Sequence, residues 1–266
     1  MADHLSSGFV ECPDGRLSLR RPAAGLCRWF GERFLQIASD AGAEEYRFGS
    51  AITRETLARA GYFEAFPDGA TSIADEGNGR GYCLSPAVCY HAYEEFAGHR
   101  FDRPVTITAE SSCFRDADRK AGGSGRLWEF TMREVVFVGR SAWVTAGRDQ
   151  WMARIGDFAA SLGLDGSIEP ATDPFFGAAG RGKQLLQQVK GLKYELRLRA
   201  GQDSLPVASF NLHETFFGQR FAMTVAGGAE AHSACVAFGL ERWVLAFLEQ
   251  QGPAAAEALI RRDWKR

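Results

Sequence analysis

Residues 103–115 and 127–138 are two runs rich in Val, Ile, Thr and Phe that flank a charged, glycine-rich segment, residues 116–125, and no other feature restricts the fold of this chain as much. β-Branched and aromatic residues suit a pleated, half-buried surface, whereas the segment between them cannot bury itself. The pattern predicts a long-looped antiparallel hairpin. On either side the apolar period changes. Leu26, Trp29, Phe30, Phe34, Ile37 and Ala38 recur at three- and four-residue steps, which predicts a helix over residues 22–40, and a shorter one follows at 53–60. Ser85-Pro86 has the form of an N-cap with proline in the first turn, predicting a helix over 86–95 that carries Cys89 and leaves Cys83 just outside. Residues 141–162 and 183–189 have helical spacing; 192–198, 207–211 and 217–225 read as strands. A strand at 235–238 runs through Gly239 into a helix that opens Leu240-Glu241-Arg242. Hairpins interrupted by helices, without regular βαβ alternation, indicate an α+β domain on a largely antiparallel sheet. No linker tract or repeat divides residues 1–266, so a single domain is expected.

Charge and composition narrow the function classes. The 266 residues hold 31 Lys+Arg against 33 Asp+Glu, a net charge of −2 with no general pull on nucleic acid or an anionic membrane. With 45% hydrophobic and 24% charged residues the chain is neither disordered nor fibrous. No apolar run of about 18 residues and no basic-then-apolar start is present, so no membrane partner and a cytoplasmic location are expected. There the six cysteines (12, 27, 83, 89, 113 and 235) would be thiols or metal ligands, most of them core residues.

Side chains on a strand alternate faces, so the hairpin can be read by parity. Cys113 and Arg115 share one face of its first strand, and Phe130, Met132 and Glu134 share one face of the second, alongside Trp128. Facing one cleft, they present a guanidinium that can hold a phosphate in a bidentate pair, a ring that can stack on a base, and a carboxylate. A solvated arginine, a core phenylalanine and a surface glutamate fit the same spacing, and spacing alone favours that plainer account. Arg242, at the helix start after Gly239, is a second candidate phosphate clamp or an ordinary solvent-facing residue after a glycine turn. The common zinc, P-loop and dinucleotide spacings are absent, as is Gly-x-Ser-x-Gly, and structural roles are expected for His4, His91, His99, His213 and His232.

In order and spacing, several segments together resemble the catalytic core of class II aminoacyl-tRNA synthetases, and more closely the amino acid:[carrier protein] ligases, stand-alone relatives of the atypical, zinc-dependent seryl-tRNA synthetases. These are Ala60-Gly61-Tyr62-Phe63-Glu64-Ala65-Phe66-Pro67, Leu84-Ser85-Pro86-Ala87-Val88-Cys89-Tyr90-His91, Cys113-Phe114-Arg115 with the return strand 126–134, Lys193-Tyr194-Glu195-Leu196, Ser209-Phe210-Asn211-Leu212-His213 with Phe217-Gly218, and the stretch 231–242. The resemblance implies an antiparallel sheet flanked by helices, a homodimer and no tRNA-binding domain. It implies ATP-dependent activation of a small amino acid to an aminoacyl adenylate, then transfer to the phosphopantetheine thiol of a carrier protein, with no tRNA as acceptor. It further implies zinc on Cys89, Glu134 and Cys235, with Cys83 and Cys113 as rivals for the first ligand. Cys89 is preferred because it lies in the matching stretch. Arg115 would hold the α-phosphate of ATP, Phe130 would stack on adenine, Arg242 would close over the opposite face and the γ-phosphate, and Mg²⁺ would accompany the phosphates. One departure is Phe114-Arg115-Asp116-Ala117, where the family pattern Phe-Arg-x-Glu ends in glutamate; Asp118 is one residue further on. A degenerate nucleotide-binding regulator and a tRNA-aminoacylating enzyme are the alternatives. Basic residues Arg181, Lys183, Lys190 and Lys193 are a candidate docking patch for the carrier, or a solvated helix face.

Overall fold

The computed structural model describes residues 8–11, 16–67, 69–74, 81–116, 125–172 and 190–263. Its centre is a seven-stranded sheet of β1 (Glu44–Tyr46), β2 (Val105–Phe114), β3 (Glu129–Gly139), β4 (Gly166–Pro170), β5 (Lys193–Ala200), β6 (Asp203–Glu214) and β7 (His232–Gly239), in the order β4-β5-β6-β7-β3-β2-β1. Neighbours are antiparallel except at one edge, where β1 runs parallel to β2. The expected hairpin is the β2–β3 pair, in register from Val105 opposite Val138 to Phe114 opposite Glu129.

The described helices of five or more residues are α1 (Ala23–Asp40), α2 (Arg54–Arg59), α3 (Cys89–Glu95), α4 (Ser141–Ser161), α5 (Phe216–Arg220) and α6 (Leu240–Asp263), and a four-residue helix, Tyr62–Ala65, lies between α2 and α3. Apolar stripes of α1, α4 and α6 cover one face of the sheet, where Phe30, Phe34, Trp151, Ile155 and Trp243 pack on Val135, Phe137, Val236 and Phe238. Phe34 stacks on Phe238 at 4.2 Å between ring centroids. The period of two then sends Glu134 and Val136 of β3, and Cys235 and Ala237 of β7, to the opposite face, against Cys89, Ala92 and Tyr93 of α3 and against Phe217 and Phe221. One face is therefore a packed core, and the other is where the sheet can hold polar side chains in a cleft. α6 is broken at Gly252, whose φ of +80° suits glycine, just before Pro253.

Two expectations need correction. Helix α3 starts at Cys89, not Pro86, because the Ser85 hydroxyl donates to the Ala87 carbonyl and does not cap the helix. Residues 217–225 are not one strand. They form α5 and a two-residue strand, Thr224–Val225, parallel to Arg100–Phe101. At Gly218 a Cβ would collide with the Ala231 backbone, so glycine lets this turn of helix seat against the start of β7. The predicted helix at 183–189 lies outside the described residues, as do Cys12, Ala117, Asp118, Arg181 and Lys183. No described helix is long and apolar enough to cross a membrane.

The short helix α2 depends on its cap, since the Thr53 side chain accepts from the Thr56 N–H at 3.0 Å. Thr53→Ala is expected to cost about 1 kcal/mol, read as a lower urea midpoint with an unchanged slope.

Candidate active site and metal centre

The face opposite the helical core opens into a cleft of about 1030 Å³, lined among others by Arg115, Phe130, Met132, Glu134, Cys89, Cys235 and Arg242. The two candidate phosphate-holding arginines, the aromatic floor and the preferred metal ligands therefore border one space, whereas Cys83, Cys113 and Trp128 are not among its lining residues. Parity holds in the hairpin: Cys113 lies directly opposite Phe130, and Arg115 follows the end of β2. Arg115 lays its guanidinium carbon 5.1 Å from the Phe130 ring centroid, and its Nε donates to the Pro86 carbonyl at 3.1 Å. The cation and the aromatic floor thus form one unit. Trp128 departs from the parity reading. It precedes β3, packs edge-on against Phe114 at 5.5 Å and donates from Nε1 to Thr71, away from the cleft.

Arg242 sits in the first turn of α6, where its Nε donates to the Gly125 carbonyl at 2.9 Å and a terminal nitrogen to the Pro206 carbonyl at 3.1 Å. Its neighbour Glu241, buried at 6% exposure, accepts the Thr131 N–H with both carboxylate oxygens at 2.9 Å. That bond ties the start of α6 to β3 one residue from Phe130. Burial nonetheless holds the Glu241 carboxyl above the ordinary carboxylate range, against the lowering effect of those bonds.

Deeper in the cleft Cys89, Glu134 and Cys235 bring two sulfurs and a carboxylate oxygen within 4.8 Å of one another, and all three residues are buried. Cys89, the first residue of α3, turns its backbone N–H onto the Glu134 carboxylate, and the Cys235 sulfur lies 3.7 Å from Glu134 Oε1. The rival ligands are elsewhere. Cys83 belongs to a separate small cluster with Ile52, Leu57 and Tyr62, and Cys113 is packed among apolar residues outside the triad.

The donor set fits zinc. Two thiolates and a carboxylate form a soft, mixed set that suits Zn²⁺ better than Mg²⁺ or Ca²⁺. Each group is also held away from its anion. The Cys89 thiol is pushed well up, first by its hydrogen bond with Cys235, then by burial and the nearby Glu134. Burial is the chief cause for Glu134, whose carboxyl is raised although its bonds with Cys89 pull it down. Cys235 is lowered by its bond with Cys89, but burial and Glu134 leave it raised. Three would-be anions crowded into a low dielectric are costly without a compensating cation, and a dication supplies that compensation.

Sequence reasoning missed Asn211 and His213, both at the cleft and both beside Cys235. His213 was expected to be structural. Only the register of β6 on β7, which pairs Asn211 with Cys235, brings them to the sulfur, and no local spacing carries that information.

No family model matches the chain. It is 33% identical over 241 residues to amino acid–[acyl-carrier-protein] ligase 1 of Bradyrhizobium diazoefficiens, a match that takes in 80% of this chain and 73% of that protein. It is 30% identical over 186 residues to the type-2 serine–tRNA ligase of Methanocaldococcus jannaschii, covering 65% of this chain and 35% of that one. Among solved structures, the seryl-tRNA synthetase of M. kandleri, in complex with A. aeolicus tRNASec, superimposes with a TM-score of 0.79 at 21% identity, over 98% of this chain and 60% of that chain. At that identity the likeness shows the fold, the catalytic domain of a class II synthetase, as the resemblance implied. Because the match to the Bradyrhizobium ligase runs through most of both proteins, the chain belongs to the amino acid–[acyl-carrier-protein] ligase family.

Proposed function

We propose that the protein activates a small amino acid with ATP and passes the acyl group to the phosphopantetheine thiol of a carrier protein. The observation that carries this reading is the convergence of Arg115, Phe130, Arg242 and the Cys89–Glu134–Cys235 triad on one cleft, in a chain one-third identical to an enzyme of that name. In the first step an oxygen of the amino-acid carboxylate bonds to the α-phosphorus, the bond to the β-phosphate bridge breaks, and pyrophosphate leaves. Arg115 holds the α-phosphate, Phe130 stacks on adenine, and Arg242 covers the opposite face and the γ-phosphate. Both guanidiniums already donate to backbone carbonyls, so they are preorganised where phosphate charge redistributes. Mg²⁺ enters on the phosphates of ATP. Cys89, Glu134 and Cys235 would hold zinc, which supplies a Lewis-acidic position that a free α-amino group can fill. In the second step the carrier's sulfur bonds to the acyl carbon, AMP leaves, and the thiol proton is released.

Support for a carrier over tRNA as acceptor comes from coverage: the match to the carrier-protein ligase takes in 73% of that enzyme, whereas the match to the tRNA ligase takes in 35%. A single domain and a homodimer belong to the same reading, both on the resemblance. Exchange of labelled pyrophosphate into ATP, run across a panel of amino acids, tests the activation step. A small amino acid should stimulate exchange well above the amino-acid-free rate; equal rates across the panel, with ATP nevertheless bound, would point to the nucleotide-binding regulator.

A further inference from the structure

Next to the triad lie polar groups that the chemistry above does not use. Asn211 stands directly opposite Cys235 in the β6–β7 ladder, and its side-chain amide donates to the Cys235 sulfur at 3.4 Å. Two residues on, the ladder slips. Leu212 pairs with Ala234 and Glu214 with Ser233, so His213 is an extra residue on β6, and Glu214 takes a φ of +52° that a non-glycine residue adopts only at some cost. The bulge aims the imidazole back across the sheet. Its Nε2 lies 3.8 Å from the Cys235 sulfur, while Nδ1 meets the hydroxyls of Tyr93 at 3.0 Å and Ser233 at 3.3 Å. Tyr93 and Ser233 are fully buried, and Phe217 packs edge-on against the imidazole at 4.9 Å between centroids. A strand that accepts an irregular register and a left-handed residue, and spends two buried hydroxyls on one ring nitrogen, is built to fix which way that ring faces.

We propose that Asn211 and His213, the latter braced by Tyr93 and Ser233, are positioning residues that hold the Cys235 sulfur as a metal ligand from outside the coordination shell. The proposal rests on the zinc reading above. Two hydroxyls able to donate to Nδ1 leave the imidazole proton on Nε2, facing the sulfur. Cys235 then receives two N–H donors, one from the amide and one from the ring. Such donors fix the direction of a thiolate lone pair and draw charge from it, so their loss loosens the metal without removing a ligand.

The test measures Zn²⁺ affinity by chelator competition, and the thiolate-to-metal charge-transfer band of the Co²⁺-substituted protein, for wild type, Asn211→Leu, His213→Phe and His213→Gln. Asn211→Leu and His213→Phe keep the approximate volume and remove the donor. Each is expected to weaken zinc binding about ten- to hundred-fold and to move the cobalt band, whereas His213→Gln, which restores an N–H donor, should recover most of both. Phe34→Leu, a packing change on the far face of the sheet, should lower thermal stability and leave both readouts alone. Wild-type affinity and an unmoved band in folded Asn211→Leu and His213→Phe would overturn the proposal while the metal site stands. Failure of the wild type itself to take up zinc would overturn the metal site and the proposal with it. Should His213→Phe not fold, Asn211→Leu decides alone, since it leaves the Tyr93–His213 contact in place.

Discussion

Arg115→Ala and Arg242→Ala are each expected to lower amino-acid-dependent ATP–pyrophosphate exchange about a hundred- to thousand-fold, roughly 3–4 kcal/mol of transition-state stabilisation. The size follows from where the charges sit. Both guanidiniums border a cleft between low-dielectric walls and are held by backbone carbonyls, so they meet the reacting phosphates without first being oriented. The two variants should differ in kind. In the proposed arrangement Arg115, on the α-phosphate, faces the atom under attack, so its loss should fall on kcat. In the same proposed arrangement Arg242, over the base and γ-phosphate, would also hold ATP in the ground state, so its loss should raise the KM for ATP as well. Lysine at either position keeps the charge and loses the planar fork, and should recover only part of the rate. Drops below about threefold for both alanine variants would mean that neither residue touches a reacting phosphate.

The second large effect concerns metal content. The purified protein is expected to carry one zinc per chain, and Cys89→Ser and Cys235→Ser are each expected to lose it, because a site of three protein ligands that forfeits a thiolate keeps only two. Cys27→Ser should retain full zinc, since Cys27 packs against the helical core on the other face of the sheet. The pH dependence has a definite sign. Without metal, Cys89, Glu134 and Cys235 all bind protons more tightly than they would in water, and zinc must displace those protons, so its affinity should fall as the pH is lowered and binding should release protons into a weakly buffered solution. Elemental analysis of the variants decides the ligand set; full zinc in Cys89→Ser and Cys235→Ser would remove it.

What the sequence made legible follows the range of the interaction behind each feature. The β2–β3 hairpin and the shared face of Phe130, Met132 and Glu134 were readable because alternation is local and one face must be buried. The helical stripes of α1 and α4 were readable for the same reason. The start of α3 was misread because Ser85-Pro86 looks like a cap, while the serine hydroxyl has a closer partner in the Ala87 carbonyl. Residues 217–225 were misread as a strand because aromatic residues favour strands in general. Here Phe217 is held in a turn of helix by its stack on Tyr93 at 4.1 Å and by the fit of Gly218 against Ala231, both tertiary contacts. The Cys89–Glu134–Cys235 triad joins residues 45 and 101 positions apart along the chain, and only the family resemblance, not spacing, pointed to it. Asn211 and His213 were beyond reach because their role depends on a bulge, which moves the register by one residue and leaves no mark in the hydrophobic pattern.

The acceptor is the centre of this account, and one assay addresses it: the protein is incubated with ATP, Mg²⁺ and the labelled amino acid that best supports pyrophosphate exchange, together with holo carrier protein, apo carrier protein or total tRNA. Label should appear on the holo carrier alone, as a thioester released by hydroxylamine, because only the phosphopantetheine arm brings a free thiol into the cleft. Label on tRNA or on the apo carrier, with none on the holo form, would contradict it.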